Sequence, residues 1–312
     1  MRKVAFLGLW HVHAAGYYEC AVAAECEVVG VYDDDKDRLE AFCQENGVRA
    51  FASEEELCAS EADGVIIGNA TCDHVESIIK VANAGTDIFT EKILAFTVED
   101  CMRVKEAVEK NGVQFTIGLV HKSLPLPKTL KSVVDSGELG KINFVRVRNC
   151  HDGSLGRWLP EHFYNKEQCG GGAMIDLGAH GMYLCQWILG LPDTYSSTFT
   201  ECCGDGVEDN AVTVMGYKNG AIAINETGFV SKYSPMMYEA YGENGRVFFQ
   251  NGAVFKATNE TEGKVVEVPL TEDKEPMTIY QFLYNDVRPG YGIDEAIDLT
   301  KMMVGAYGNI VK

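Results

Sequence analysis

The sequence has no long apolar run and few basic residues. Its uninterrupted apolar stretches are far shorter than the roughly 20 residues that a membrane-spanning helix needs. Only 27 Lys and Arg stand against 46 Asp and Glu, which gives a net charge of −19 at pH 7. A chain with this charge repels phosphate backbones and anionic lipids. The composition therefore argues against a membrane protein and against binding to nucleic acid or to a membrane surface.

The eleven cysteines lack the spacing of a disulfide framework or a zinc ribbon. Their number is odd, they are scattered along the chain, and no pair shows the C-x-x-C spacing. Reduced thiols in a reducing compartment fit this distribution. We therefore expect a cytoplasmic protein.

At 312 residues the chain is longer than one domain of about 100 to 200 residues, so we expect two domains. The first, residues 1–120, alternates short β-like runs such as "KVAFLG" and "EVVGVYD" with helical patterns. This alternation predicts an α/β fold, in which a Rossmann-like parallel sheet is covered by helices on both faces. The strands are apolar nearly throughout, as expected when both faces are buried.

The pattern changes in the second predicted domain, residues 121–312. "LPLPKTLKSVVDSGELG" is typical of a helix and "KINFVRVRNC" of an alternating strand. Several alternating runs divided by Gly and Asn follow between 195 and 270, and an amphipathic helix begins at 292. We predict an α+β domain with a second, mostly antiparallel sheet.

Polar side chains follow the strands of the first predicted domain. In an open parallel sheet, ligands bind beyond the carboxyl ends of the strands. The residues that come directly after the strands are therefore expected at one edge of the sheet: His11 and His13, Asp33, 69–74, and Glu91 with Lys92.

The stretch "GLWHVHA" at 8–14 stands where nucleotide-binding folds place a glycine-rich phosphate loop, but it retains only Gly8. Trp10, His11 and His13 occupy positions where small residues would let a pyrophosphate approach the backbone. Two histidines two residues apart could share a metal ion in an extended segment. Because no third ligand is apparent, a histidine-lined loop before a helix is the preferred interpretation, and no metal is expected.

Asp33 ends the second strand, close to the distance from Gly8 at which an acidic side chain accepts hydrogen bonds from an adenosine ribose. The three consecutive acids Asp33, Asp34 and Asp35 would repel a 2′-phosphate, so NAD is favoured over NADP. Asp34 and Asp35 have a second interpretation as caps of the following helix.

Two further motifs carry candidate catalytic groups. Lys92 follows a buried strand, from where its ammonium group could donate to a substrate hydroxyl, although a lysine there is commonly just solvated. Asp176 and His180 are four residues apart, so they would share one helix face. A carboxylate beside an imidazole can fix its tautomer and raise its basicity, although such a pair is often an ordinary surface contact. The glycines at 170–172 indicate backbone that passes close to another group.

The segments "EKI", "SGELGKINFVRVR" and "GGGAMIDLGAHGMYLCQWILGLP", in this order behind a Rossmann-like half, resemble the Gfo/Idh/MocA family of NAD(P)-dependent oxidoreductases. "NATCDHVESIIKVANAG" is similar to the family segment that passes the nicotinamide, with His74 matching its histidine. The resemblance implies a large open sheet in the second domain. In known members that sheet commonly forms the oligomer interface, so a homodimer or homotetramer is expected.

The resemblance places the family's catalytic lysine on Lys92, and the Asp and His of its D-x-x-x-H motif on Asp176 and His180. It implies hydride transfer between the nicotinamide and a hydroxyl or keto carbon of a sugar, an inositol or a related polyhydroxylated molecule. His180 would take the hydroxyl proton, Asp176 would orient or assist it, and Lys92 would stabilise the developing oxyanion. The expected NAD contacts are Gly8, Trp10, His11, His13, Asp33, Asn69, His74, Glu91 and Lys92.

Three departures from the family pattern stand out. "EKI" replaces the family's "EKP", and Tyr183 replaces an aspartate that often follows the histidine by three residues. Aligning His13 and Ala14 with the family's "HA" implies a glycine loop shortened by about three residues, which could still direct a helix amino terminus at a phosphate.

Two alternative functions stay open from the sequence. One is an enzyme that uses a tightly held NAD for transient oxidation and then cleaves a glycosidic bond without net redox. The other is a non-catalytic ligand-binding relative. Polar and aromatic side chains in and around "HDGSLGRWLPEHFY" suit a sugar. The predicted substrate contacts are Lys122, His151, Arg157, Trp158 and Tyr183.

Overall fold

The computed structural model describes residues 1–271 and 276–311. It divides into two compact units, one formed by residues 1–119 with 276–300 and the other by the described residues of 120–275 and 301–312. The predicted boundary near 120 lies at the same place, but segment 276–300 belongs to the first unit rather than to the second. It does so because Phe282 is buried in the core of the first unit and its carbonyl oxygen accepts a hydrogen bond from Arg2 Nη1 at 2.6 Å.

The first unit contains the predicted parallel sheet, with strand order β2-β1-β3-β4-β5. The strands are β1 Lys3–Leu7, β2 Glu27–Tyr32, β3 Gly64–Ile67, β4 Asp87–Thr90 and β5 Phe115–Ile117. Every residue of β3 is buried, as an apolar strand covered on both faces should be. The parallel arrangement brings the carboxyl ends of these strands to one edge of the sheet.

Helices join the strands of the first unit. They are α1 Ala14–Ala23, α2 Lys36–Asn46, α3 Glu54–Cys58, α4 His74–Asn83 and α5 Val98–Asn111. Asp35 caps α2 by accepting hydrogen bonds from the amides of Asp37 and Arg38, so the capping interpretation is confirmed for this residue. The short helix α3 had no counterpart in the prediction, because five residues carry too little periodicity to reveal a helix.

The second unit contains an eight-stranded sheet with strand order β13-β12-β11-β10-β6-β9-β8-β7. The strands are β6 Ile142–Cys150, β7 Thr194–Thr200, β8 Asn210–Gly216, β9 Ile222–Gly228, β10 Met237–Gly242, β11 Gly245–Gln250, β12 Ala253–Thr258 and β13 Val266–Val268. The pair β6 and β9 is parallel, and the other neighbouring pairs are antiparallel. The predicted α/β fold with a large, mostly antiparallel second sheet is confirmed.

The remaining helices are α6 Val120–Ser123, α7 Pro125–Asp135, α8 Lys166–Cys169, α9 Ala179–Leu189, α10 Thr278–Leu283 and α11 Ile293–Gly308. Helix α9 packs on β6 and β9, and α7 packs on β11 and β12. Strand β6 therefore buries Val145 and Val147 on one face and presents Arg146 and Arg148 on the other. Within 1–271 and 276–311, no helix combines the length and the apolar character that crossing a bilayer requires.

Candidate functional site

Gly8 ends β1 in a turn that has no room for a side chain. Its φ is +87°, and a Cβ there would lie 2.3 Å from the backbone nitrogen of Asn69. Its amide donates to the carbonyl oxygen of Tyr32 at 2.8 Å. Glycine is thus required by the close approach of the loops that follow β1 and β3, which is a structural reason independent of any phosphate.

Asp33 is buried at the end of β2, and its carboxylate already has several donors. It accepts from the amide of Leu9 at 2.5 Å and from the amide of Asp35 at 2.8 Å. Arg38 of α2 binds it in a bidentate manner, through Nε at 3.1 Å and Nη2 at 2.7 Å. Burial raises the pKa of Asp33, while Arg38 and the two amides oppose the rise. Arg38 was missed from the sequence, because it appeared as one charge on an exposed helix.

A cleft of about 260 Å³ opens beside Asp33 at the edge of the sheet. Its lining is Leu7, Gly8, Tyr32, Asp33, Asp34, Glu54, Asn69, Cys72, Asp73, Glu76, Ser77 and Lys80. Five of the twelve lining residues are acidic and one is basic, and that one, Lys80, is paired with Glu54 at 2.6 Å. Asn69 donates to Ser77 at 3.0 Å, and its buried Oδ1 has no hydrogen-bond partner among the described residues. The cleft thus brings together Gly8, Asp33 and Asn69, three predicted cofactor contacts that follow β1, β2 and β3.

His11 and His13 lie in the turn before α1, not in an extended segment. The turn still brings their rings together, with 4.7 Å between the centroids, because the amide of His13 donates to His11 Nδ1 at 3.2 Å. The indole of Trp10 lies next to them, 6.4 Å from the ring of His11.

Glu91, the first residue after β4, lies with these histidines and is only 3% exposed. Its Oε1 is 2.8 Å from His13 Nδ1 and also accepts from the hydroxyl of Tyr17. Burial acts to raise the pKa of Glu91, but the charges of His11, His13 and Lys92 together hold it well below its usual range. Glu91 is therefore an ionised carboxylate inside the first unit, and Tyr17 is a partner that the sequence did not reveal.

Lys92 is buried directly after Glu91, at the edge where it was predicted. Its amide donates to Glu91 Oε2 at 3.2 Å, and the peptide bond between Lys92 and Ile93 is cis. His74 supports this turn by donating from Nδ1 to the Ile93 carbonyl oxygen at 3.0 Å. Burial lowers the pKa of His74, which favours its neutral form. Its role at the nicotinamide stays a prediction.

In the second unit, His180 is buried on α9 and its Nδ1 lies 2.7 Å from the hydroxyl of Tyr183. That hydroxyl oxygen also accepts from the amide of His121 at 3.1 Å. Tyr183 is 2% exposed and its hydroxyl is engaged by these two protein groups, and its predicted contact with substrate stays a prediction. Because a hydroxyl both donates and accepts, Tyr183 can hold the imidazole in either tautomer.

Asp176 lies in a π-helical turn, Met174–Gly178, directly before α9. The four-residue spacing to His180 therefore does not have the α-helical geometry that the sequence suggested. The structure links Asp176 electrostatically to His151, whose pKa is lowered by burial and partly restored by the charge of Asp176. The pairing of Asp176 with His180 stays a prediction.

The glycines before this turn pack against protein groups. A Cβ on Gly172 would lie 2.1 Å from the carbonyl oxygen of Glu208, and one on Gly171 would lie 2.1 Å from the hydroxyl of Tyr307. Glu208 Oε1 accepts from the amides of Gly172 and Met174 and from Tyr307, at 2.9, 3.1 and 2.6 Å. The predicted close approach is confirmed, and Glu208 is a missed residue that anchors the start of the π-helical turn.

His151 and Trp158 form an aromatic pair with ring centroids 4.6 Å apart. His151 stacks on Phe229 at 5.0 Å, with an angle of 10° between the ring planes. The exposed indole of Trp158 donates to Asp152 at 3.0 Å. These two predicted substrate contacts therefore share one surface of the second unit.

Lys122 and Arg157, the other predicted substrate contacts, have protein partners. The ammonium group of Lys122 lies 5.5 Å from the ring centroid of Trp187, which is a cation–π distance. Arg157 pairs with Asp205 at 2.5 Å. Contact of either residue with a substrate stays a prediction.

Comparison with known proteins places this geometry in a family. Residues 3–119 match the model of the oxidoreductase family with an NAD-binding Rossmann fold, GFO_IDH_MocA, and residues 128–248 match the GFO/IDH/MocA C-terminal domain. The chain is 28% identical over 261 residues to scyllo-inositol 2-dehydrogenase (NAD(+)) of Bacillus subtilis (strain 168), covering 79% of this chain and 73% of that enzyme. It is 23% identical over 266 residues to 1,5-anhydro-D-fructose reductase of Ensifer adhaerens, covering 82% and 78%.

Solved structures share the same fold. Aldose-aldose oxidoreductase from Caulobacter crescentus, complexed with glycerol, superposes with a TM-score of 0.83 at 18% identity and covers 99% of this chain and 97% of that one. A putative NADPH-dependent oxidoreductase from Desulfitobacterium hafniense superposes with a TM-score of 0.84 at 19% identity, covering 99% and 95%. The chain belongs to the Gfo/Idh/MocA family and is an oxidoreductase whose N-terminal domain is that family's NAD-binding Rossmann fold.

Proposed function

We propose that the protein is an NAD-dependent dehydrogenase or reductase that acts on a CH–OH group of a sugar, an inositol or a related polyhydroxylated molecule. The observation that carries this proposal is Lys92, a lysine buried directly after β4 at the ligand-binding edge of the sheet and flanked by the ionised Glu91. Relatives named as inositol dehydrogenases and as an anhydrofructose reductase support the substrate class.

The cleft beside Asp33 supports NAD rather than NADP. A 2′-phosphate there would face the carboxylates of Asp34, Glu54 and Asp73 in the lining. Asp33 accepts four hydrogen bonds from protein donors, two from backbone amides and two from the side chain of Arg38. A ribose hydroxyl would therefore have to share the carboxylate with these donors or displace one of them. We therefore expect Asp33 to shape the cleft as much as to bind the ribose.

The cofactor supplies hydride acceptance and donation when it is bound. In the direction of oxidation, we assign proton removal from the substrate hydroxyl to His180. This requires the tautomer in which Nδ1–H donates to the oxygen of Tyr183 and the unprotonated Nε2 accepts the substrate proton. We assign stabilisation of the developing oxyanion to the ammonium group of Lys92, and orientation of His180 to Asp176.

The activity test uses the full chain, NAD and a panel of inositols and aldoses, followed by the absorbance of the reduced nicotinamide. We expect at least one substrate to be oxidised, and we expect Lys92→Met to lower kcat/KM by about 100-fold or more, because fixed positive charge at the oxyanion is lost. Lys110→Met, which removes an exposed lysine on α5, is the matched control and should retain full activity. A substrate oxidised equally well by Lys92→Met would contradict the assigned role.

We also propose that the second domain binds substrate and mediates assembly into a homodimer or homotetramer through the eight-stranded sheet. A cytoplasmic location is supported by the eleven cysteines, all of which are free thiols. Fractionation of the native cells, with this protein followed by antibody, tests the location directly.

A further inference from the structure

We propose that His11, His13 and Glu91 bind a divalent transition-metal ion, with zinc as the best match to their chemistry. Two imidazoles and one carboxylate are a donor set that zinc favours, and three protein ligands leave a coordination position for water or another oxygen. The three residues lie in the first unit and are also among the expected NAD contacts, so metal binding has to be measured directly and without NAD.

The distances suit one ion with small side-chain adjustments. The potential ligand atoms of the three residues all lie within 4.8 Å of one another. Ligands of a tetrahedral zinc ion, bound at about 2.0 to 2.1 Å, are separated by about 3.3 Å. His13 Nδ1 and Glu91 Oε1 are 2.8 Å apart, which is slightly less than this ligand separation and is a hydrogen-bond distance. A metal ion would take the place of the proton in this hydrogen bond, and the two atoms would move slightly apart.

The cluster has the supporting contacts that a metal site needs. The hydroxyl of Tyr17 donates to Glu91 Oε1, and the amide of Lys92 donates to Glu91 Oε2, so the carboxylate is oriented from both sides. The amide of His11 donates to the carbonyl oxygen of Gly68 at 2.9 Å, which fixes the backbone of the first ligand against the end of β3. These contacts come from residues that follow β3 and β4 and from α1.

Access and charge also agree with a bound cation. Glu91 and His11 are buried, whereas the side chain of His13 is 48% exposed and leaves a route from solvent. A divalent ion would neutralise the buried carboxylate, while the nearby positive charge of Lys92 opposes binding and makes the affinity moderate. At present His11 Nδ1 accepts a long hydrogen bond, 3.2 Å, from the His13 amide. A metal ion on Nδ1 would replace this hydrogen bond. A metal ion on Nε2 would also remove it, because Nδ1 would then carry the ring proton.

The test is metal binding by the whole chain, produced without a histidine tag, stripped with chelator and kept free of NAD. Zn²⁺ is titrated by calorimetry and counted by elemental analysis, and Co²⁺ is used as a probe because its visible absorption reports the coordination number. We expect one ion per chain and the intense bands of four-coordinate Co²⁺.

Each of His11→Ala, His13→Ala and Glu91→Gln should weaken Zn²⁺ binding at least tenfold. His13→Ala is the most informative of these variants, because its side chain is half exposed and its removal should leave the fold intact, as circular dichroism will show. His162→Ala removes a histidine outside the cluster and should bind like the wild type. The proposal is overturned if the stripped protein takes up no stoichiometric ion, if folded His13→Ala binds as tightly as the wild type, or if His162→Ala loses binding equally.

Discussion

At the scale of single residues, the contact between Tyr183 and His180 ties a buried phenol to the proposed proton acceptor. Tyr183→Phe removes this hydrogen bond and leaves the ring in place. A hydrogen bond of this kind contributes about 1 kcal/mol, so we expect kcat to fall by up to about tenfold with little change in KM. Steady-state kinetics on the substrate found in the activity panel provides the measurement.

The control for Tyr183→Phe is Tyr217→Phe, which removes another buried hydroxyl. In the described part of the chain, the hydroxyl of Tyr217 has no hydrogen-bond partner. Its loss should leave kcat unchanged. Equal effects of the two substitutions would mean that Tyr183 acts through packing and not through the orientation of His180.

Sequence reasoning located the residues that follow strands and missed the residues that hold them. Lys92 and Asp33 were predictable because the carboxyl ends of parallel strands meet at one edge. Arg38 and Glu208 gave no signal, because each acts on a partner brought close only by the fold. Glu91 was placed at the edge, but its proximity to His11 and His13 requires the strand order, which a single sequence does not reveal.

At the scale of elements, the π-helical turn Met174–Gly178 depends on glycine packing that can be tested. Gly172→Ala would place a Cβ 2.1 Å from a backbone oxygen, so the backbone must shift. We expect the free energy of unfolding to fall by about 1 to 3 kcal/mol, the usual range for overpacking. Urea denaturation followed by fluorescence measures this difference.

Gly16 provides the opposite case on the same scale. It lies in the interior of α1, and an added Cβ would meet no atom within 4 Å. Gly16→Ala should therefore raise the free energy of unfolding by about 0.5 to 1 kcal/mol, because alanine loses less backbone entropy in a helix. If both substitutions destabilise equally, close packing is not the reason for glycine at 172.

The parallel pair β6 and β9 carries an ion-pair cluster that should make stability depend on pH. Glu226 binds Arg146 at 2.8 Å and Arg148 at 3.0 Å. Burial acts to raise the pKa of Glu226, but the two guanidinium groups hold it below its usual range. A carboxyl group with a lowered folded-state pKa stabilises the protein above its unfolded-state pKa, and this stabilisation is lost as the pH falls through the folded-state pKa.

Glu226→Gln should therefore flatten the acid limb of the stability curve. We expect it to destabilise the protein by about 1 to 3 kcal/mol at pH 7 and by progressively less as the pH falls below the usual range of a glutamate, measured by urea midpoints at each pH. Glu267→Gln, an exposed position on β13, is the control and should follow the wild-type curve. A Glu226→Gln curve parallel to that of the wild type would contradict this contribution.

Elements with long periodic patterns were predictable from sequence, and short or irregular ones were not. The alternating "KINFVRVRNC" became β6 because one face meets α9 and the other does not. Asp176 and His180 were interpreted as lying on one α-helix, whereas Asp176 lies in a π-helical turn, in which different residues share a face. Nothing in the local composition distinguishes such a turn from an α-helix.

At the scale of the whole molecule, the outward face of the eight-stranded sheet has an apolar row that suits assembly. Tyr241, Phe144 and Ile222 are neighbours across three adjacent strands, and the first two rings lie 6.0 Å apart. Ile222 is 42% exposed in the single chain. An exposed apolar row bordered by charged side chains is compatible with an interface between subunits, and it agrees with the proposed homodimer or homotetramer.

Sedimentation velocity should show an oligomer that tightens with added salt, because each chain carries a net charge of −19 and salt screens the repulsion between like-charged subunits. Ile222→Lys places a charge in the apolar row and should weaken association by at least about tenfold, the effect of roughly 1.4 kcal/mol. Val22→Lys, on an exposed position of α1, adds the same charge outside the sheet and should sediment like the wild type. If Ile222→Lys is folded and stays fully assembled, the interface lies on another surface. If the wild type is a monomer at all salt concentrations, the apolar row does not mediate assembly.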